Sequence, residues 1–162
     1  MKIAVIFATK SGTTRTAAQK LCEALQKRGA QTELCELPLG ALPQADAYAV
    51  GGSLRMASWH KLTRAFVKAH EATLLQKPLA LFVCRCGQDD TRALLKTQVS
   101  EALLSHARWA DSVGGELDMS KQKGLDRFVA SVVSKNDKSG AMQSTGVLPE
   151  RLEALADALT QA

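Results

Sequence analysis

The chain has 162 residues, 46% of them hydrophobic and 23% charged, which suits one globular domain spanning residues 1–162. Its apolar runs are too short for a transmembrane helix, and its start does not fit a secretory signal, so we expect a cytoplasmic protein. The net charge is +5, but only 4% of the residues are aromatic and no basic run contains them, which disfavours nucleic-acid binding.

The cysteines give no sign of a metal site. Cys22, Cys35, Cys84 and Cys86 form no pair of C-x-x-C motifs and have no histidines nearby in the sequence. In a cytoplasmic protein, four such thiols are expected to stay reduced. We therefore predict neither a metal ion nor a disulfide framework.

Strand and helix patterns alternate along the chain, which predicts an α/β domain with a doubly wound parallel sheet. Nearly continuous apolar runs are typical of strands buried on both faces. Strands are predicted at Lys2–Phe7, Thr32–Leu37, Ala47–Gly51, Leu79–Cys84 and Ser112–Leu117. Helices are predicted after Thr14 up to a cap at Gly29 and over Lys61–Leu75, Thr91–Ala107 and Pro149–Thr160. An extra basic amphipathic helix, Ser120–Lys135, stands outside this alternation.

The strongest chemical signal is the loop between the first strand and the first helix. Hydroxyl side chains and one glycine at a helix N-terminus favour an anion, because free N–H groups and the helix dipole converge there. Neither a Walker motif nor the dinucleotide fingerprint G-x-G-x-x-G is present. A monophosphate cradle is therefore predicted, and a simple helix cap is the alternative. The loop comprises Thr9, Lys10, Ser11, Gly12, Thr13 and Thr14.

This loop resembles the flavodoxin signature [ST]-x-[ST]-G-x-T after a first strand. The resemblance implies a five-stranded parallel sheet in the order two-one-three-four-five, with helices on both faces and FMN at the carboxyl ends of the strands. Two further loops would then flank the flavin ring. The first contributes Ser53, Leu54, Arg55 and Trp59, and the second contributes Cys84, Arg85, Cys86, Gly87 and Asp89.

The ring-flanking loops differ from those of electron-carrier flavodoxins, which sandwich the ring with aromatics and surround it with acidic residues. Here the second loop has no aromatic residue, and Arg55 and Arg85 would place positive charge near the ring. Positive charge favours the anionic reduced flavin. The pattern favours an enzyme over a carrier, with solvated rim arginines as the alternative interpretation.

Two glycine-containing stretches narrow the resemblance. Gly51-Gly52-Ser53-Leu54-Arg55 with His60, and Gly114-Gly115-Glu116-Leu117, are similar to the menaquinone-dependent protoporphyrinogen IX dehydrogenase branch of flavodoxin-like proteins. This implies an insertion at about 118–147, a porphyrin-like acidic substrate, a quinone acceptor, a role in heme biosynthesis and peripheral contact with the inner membrane face. Two alternatives stay open: an electron-transfer flavodoxin with a redox partner protein, and a phosphate-binding domain without flavin.

Overall fold

The computed structural model describes residues 1–10, 12–55, 58–85, 90–115 and 146–161. The strands are β1 Lys2–Ala8, β2 Gln31–Glu36, β3 Ala47–Arg55, β4 Ser58–Trp59, β5 Leu79–Cys84 and β6 Trp109–Ser112. The helices of these ranges are α1 Thr13–Lys27, α2 Lys61–Ala69, α3 Glu71–Leu74, α4 Thr91–Leu95, α5 Glu101–His106 and α6 Pro149–Thr160. The predicted extra helix, Ser120–Lys135, lies outside the described residues.

Five parallel strands form the sheet in the order β2-β1-β3-β5-β6, and the short β4 pairs antiparallel with the end of β3. Counting only the parallel strands, this is the order two-one-three-four-five that the resemblance implied. The order reverses between β1 and β3, and ligands of open α/β sheets bind at such a switch point.

Both faces of the sheet are covered, which explains the continuous apolar strands. Along β1, Ile3, Val5 and Phe7 pack against α1 and α6, whereas Ala4 and Ile6 face α2 and α5. The domain is thus a three-layer sandwich. No helix in the described ranges is long and apolar enough to cross a bilayer.

The C-terminal end of α1 is fixed by features visible in the sequence. Gly29 has a φ of 85° and its N–H donates to Gln26, while the next N–H, of Ala30, donates to Leu25, as in a Schellman motif. Arg28 then bridges α1 to α6 by ion pairs of 2.6 Å to Glu153 and 2.8 Å to Asp157. The predicted cap at Gly29 is confirmed.

Four predicted elements differ from the structure. The third strand, predicted to end at Gly51, continues to Arg55, because its last residues pair with β4. The last strand begins earlier than the prediction of Ser112–Leu117, because an edge strand with half-buried polar positions lacks an apolar signature. The predicted helix Lys61–Leu75 breaks at His70, which has φ −115° and ψ 18°. The predicted helix Thr91–Ala107 breaks before Ser100, whose Oγ accepts from the N–H of Leu103 at 3.1 Å and starts a new helix.

Candidate cofactor site

The loops singled out by the sequence meet at one edge of the sheet. The registers pair Ala8 with Gly52, Ser53 with Cys84, and Val83 with Ser112. The carboxyl ends of β1, β3, β5 and β6 are therefore neighbours in that order. The phosphate loop leaves β1 on one side of the switch point, and the loop after β3 leaves on the other.

The phosphate loop is folded by its own short side chains. Gly12 has a φ of 92°, a left-handed conformation that favours glycine, and its N–H donates to Thr9 Oγ1 at 2.9 Å. Gly12 is the N-cap of α1, and its carbonyl accepts from the N–H of Thr16 at 3.1 Å. The first turn of α1 has no acidic residue, so no carboxylate there offsets the positive end of the helix dipole.

Thr14 tests whether a phosphate fits this loop. Its side chain is fully buried at the start of α1, and within the described part of the chain its Oγ1 has no hydrogen-bond partner. A buried hydroxyl without a partner costs about 1–3 kcal/mol. A phosphate oxygen held by the loop would accept this hydrogen bond, so the residues fit a phosphate-bearing cofactor.

The end of β3 is closely packed against β5 and α2. A Cβ at Gly51 would lie 2.2 Å from the ring of Phe82, and one at Gly52 would lie 2.5 Å from Thr63 Oγ1. Thr63 Oγ1 donates to the carbonyl of Gly51 at 3.0 Å, and both groups are buried. The glycine pair therefore serves close packing of the strand, in addition to any contact with a ligand.

Trp59 lies in the core instead of on the surface of the loop. Its side chain is 1% exposed, and its Nε1 donates to the carbonyl of Gly52 at 3.2 Å. The expectation that Trp59 flanks a flavin ring is not supported by this position, because neither face of the indole is open. A tryptophan between polar loop residues carries no sequence signal for this tight folding back on β3.

His60 joins the loop after β3 to α2. Its backbone N–H donates to the carbonyl of Ser53 at 2.9 Å, and its Nδ1 accepts from the N–H of Leu62 at 3.1 Å. Burial lowers the pKa of His60, and the positive charges of Lys10 and Arg55 lower it further. Positive charges of the phosphate loop and of the β3 end therefore both act on His60.

The end of β5 is held against the end of β6. Cys84 is buried, and the N–H of Arg85 donates to the carbonyl of Gly114 at 3.2 Å. A Cβ at Gly115 would lie 2.9 Å from the backbone of Arg85, so this glycine permits the close approach. Gly114 also forms an antiparallel bridge with Val147.

The remaining predicted site residues differ in their exposure to solvent. Ser53, Leu54 and Arg55 are half-buried at the end of β3, Lys10 is exposed, and Thr13 is buried in the first turn of α1. The structure contains no cluster of potential metal ligands in the ranges it describes. Four predicted residues lie outside those ranges: Ser11, Cys86, Gly87 and Asp89.

Comparison with curated proteins finds a distant relative with an enzymatic activity. The protoporphyrinogen IX dehydrogenase [quinone] of Escherichia coli strain K12 is 24% identical over 144 residues, which cover 83% of this chain and 80% of the relative. The same protein from strain O157:H7 matches with the same identity and coverage.

Solved structures with the same fold are more distant in sequence. A short-chain flavodoxin associated with a PDU bacterial microcompartment is 14% identical with a TM-score of 0.63, covering 98% of this chain and 96% of its own. An oxidoreductase from Corynebacterium diphtheriae is 16% identical with a TM-score of 0.55, covering 98% and 93%. The family model described as a flavodoxin domain matches residues 4–144. The chain therefore belongs to the flavodoxin domain family.

Proposed function

We propose that this protein binds FMN at the carboxyl edge of its sheet and works as an FMN-dependent oxidoreductase. The observation that carries the proposal is the buried Thr14 hydroxyl, for which the described protein supplies no acceptor, in the loop that begins α1 at the switch point. The Thr9–Thr14 loop would hold the phosphate, and Lys10 would add positive charge.

An acidic substrate is favoured by the charges around the site. Lys10 and Arg55 both act on His60, and Arg85 directly follows the neighbouring strand β5. FMN, when bound, supplies the capacity to accept two electrons, and nearby cations favour its anionic reduced form. An electron carrier of very low potential would need the opposite environment.

The most specific form of the proposal is a protoporphyrinogen IX dehydrogenase-like reaction. The 24% identity to the E. coli enzyme and the basic site support it. In each oxidation the porphyrinogen would lose two electrons and two protons, and a quinone would take both to become a quinol. The alternative, an electron-transfer flavodoxin with a protein partner, is supported by the fold shared with flavodoxins.

Three measurements test these statements in turn. Titration of the purified chain with FMN should give saturable binding and a shifted visible spectrum, and no binding would contradict the proposal. The midpoint potentials of the bound flavin then separate the oxidoreductase from the electron carrier. A strongly negative potential for the semiquinone–hydroquinone couple would favour the carrier. Anaerobic oxidation of protoporphyrinogen IX with a menaquinone analogue should exceed the rate without protein, and an equal rate would exclude the dehydrogenase.

A further inference from the structure

A cleft separate from the phosphate loop runs along α2. Its volume is about 570 Å³, within the range of small-molecule sites. One wall is α2 and the start of α3, and the other is the segment 97–100 with Leu103 of α5. Ala65, Val67, Val99 and Leu103 provide apolar lining. The cleft therefore offers an apolar floor between two polar walls.

Three cations line the α2 wall at helical spacing. Lys61, Arg64 and Lys68 are exposed and recur every three to four residues, so they form a ridge about 10 Å long on one face of the helix. In the described part of the chain neither lysine has an ion-pair partner, whereas Lys2 pairs with Glu33 at 3.0 Å. The positive charges of this ridge can bind carboxylates.

The charge in the cleft is uneven along its length. Glu71, at the start of α3 just beyond the C-terminal end of α2, is the one carboxylate among the described lining residues, and it accepts from Ser100 Oγ. Lys61 and Arg64 lie at the opposite end, where α2 begins beside His60. The positive potential is thus strongest next to the candidate cofactor site.

At the end of the cleft near Lys61, hydrogen bonds join the walls to Trp59, and an exposed apolar side chain lies close by. Arg64 Nε donates to the carbonyl of Trp59 at 3.1 Å, and the N–H of Trp59 donates to Gln98 Oε1 at 3.1 Å. Leu62, beside Lys61, is 38% exposed, one of the few large apolar side chains exposed in the described ranges. A ligand with charged ends and an apolar body suits this combination.

We propose that the α2 cleft binds the carboxylates of an amphipathic organic anion through Lys61 and Lys68. The identity of this anion rests on the proposed function: if the protein oxidises an acidic porphyrinogen, the anion is that substrate. The two lysines act as specificity-determining residues, and Arg64 chiefly supports the wall through Trp59. Neutralising the lysines removes attraction for carboxylates and leaves the apolar floor unchanged.

The test compares two porphyrins and two variants. Protoporphyrin IX and its dimethyl ester share a ring but differ in carboxylate charge, and their affinities are measured by fluorescence anisotropy in the same nonionic detergent. The double variant Lys61→Gln/Lys68→Gln should bind the free acid about tenfold more weakly and the ester as well as the unmodified chain does. Lys20→Gln/Lys27→Gln, on exposed positions of α1, changes the net charge equally and should leave both affinities unchanged.

Each other outcome overturns the assignment. No binding to the unmodified chain, equal losses for acid and ester, or equal losses in the α1 variant would each remove the cleft as a carboxylate site. The binding measurement needs no FMN, so failure of FMN binding would refute the proposed function and leave this result standing. If the porphyrinogen is turned over, Lys61→Gln/Lys68→Gln should raise KM with kcat unchanged. An unchanged KM would refute substrate binding in the cleft and leave the proposed function intact.

Discussion

The two loops that border the switch point are built in different ways. At the β1 end, a local hydrogen bond joins the N–H of Gly12 to Thr9, and the buried hydroxyl of Thr14 finds no acceptor in the described protein. At the β3 end, the carbonyls of Gly51 and Gly52 accept from Thr63 and Trp59. The β1 end leaves the Thr14 hydroxyl for a ligand, whereas these two β3 carbonyls are bonded within the protein.

This difference separates binding from stability. A buried polar group that has a protein partner stabilises the fold, and its removal leaves that partner unpaired. A buried polar group without one lowers the stability of the free protein and becomes favourable only when a ligand arrives. Substitutions at the β3 end should therefore change the free energy of unfolding, whereas substitutions at the β1 end should change affinity.

The largest stability effect is expected for Gly51→Ala. The new Cβ would lie 2.2 Å from the fully buried Phe82 ring, so a central strand or its neighbour must shift. Overpacking of this kind costs about 3 kcal/mol, or roughly 10 °C in a domain of this size. Thermal unfolding measures it, and Gly40→Ala, with nothing within 4 Å of its Cβ, is the control. Equal midpoints for both variants would show that the β3 end is loosely packed.

A smaller loss is expected for Trp59→Phe. The substitution removes the hydrogen bond from Nε1 to the buried carbonyl of Gly52, which costs about 1–3 kcal/mol. FMN affinity should change by no more than about twofold, because the indole is enclosed in the core. Denaturant unfolding and FMN titration on the same sample separate the two effects. A large loss of affinity with intact stability would restore Trp59 as a ring-flanking residue.

The smallest predicted effect is a change in the pKa of His60, which depends on charges at both the β1 end and the β3 end. Burial and the charges of Lys10 and Arg55 hold its pKa below the ordinary value of about 6.5. Inorganic phosphate bound at the β1 loop should raise that pKa by offsetting the charge of Lys10, as followed by the ring proton resonances in NMR. A pKa that ignores phosphate would place the anion elsewhere.

The direction of the accompanying pH effect follows from the same shift. Since the folded pKa lies below the unfolded one, the unfolded chain takes up the proton first as pH falls. The folded state should therefore lose stability as pH drops through about 6.5. His60→Gln should remove this part of the pH dependence, which is measured as the difference in unfolding free energy between the two proteins.

The sequence predicted the elements whose apolar pattern is complete. Leu79–Cys84 and Pro149–Thr160 have the predicted bounds, since a strand buried on both faces and a proline-started helix are both distinctive. The edge strand Trp109–Ser112 was misplaced because its half-buried polar residues, among them Asp111 paired with Arg151 at 2.5 Å, depend on tertiary contacts. The helix breaks at His70 and Ser100 were missed because the apolar periodicity continues across them.

The site was predictable where the backbone follows local rules. A hydroxyl-rich loop at a helix start is visible in the sequence, and the structure places it at the switch point. The enclosure of Trp59 was not visible, because it results from β4 folding back on β3 through Leu54 and Arg55. The close approach of Gly115 to Arg85 likewise joins residues far apart in the chain.

The comparison of Thr14→Val with Thr63→Val tests the central claim most directly. Both threonines are fully buried, but only Thr63 donates to a described protein acceptor. FMN titration and denaturant unfolding are measured on each variant. Thr14→Val should weaken FMN binding at least about tenfold with stability unchanged or raised, and Thr63→Val should cost about 1–2 kcal/mol with FMN affinity unchanged. A Thr14→Val protein that binds FMN normally, or unfolds as easily as Thr63→Val, would contradict the account.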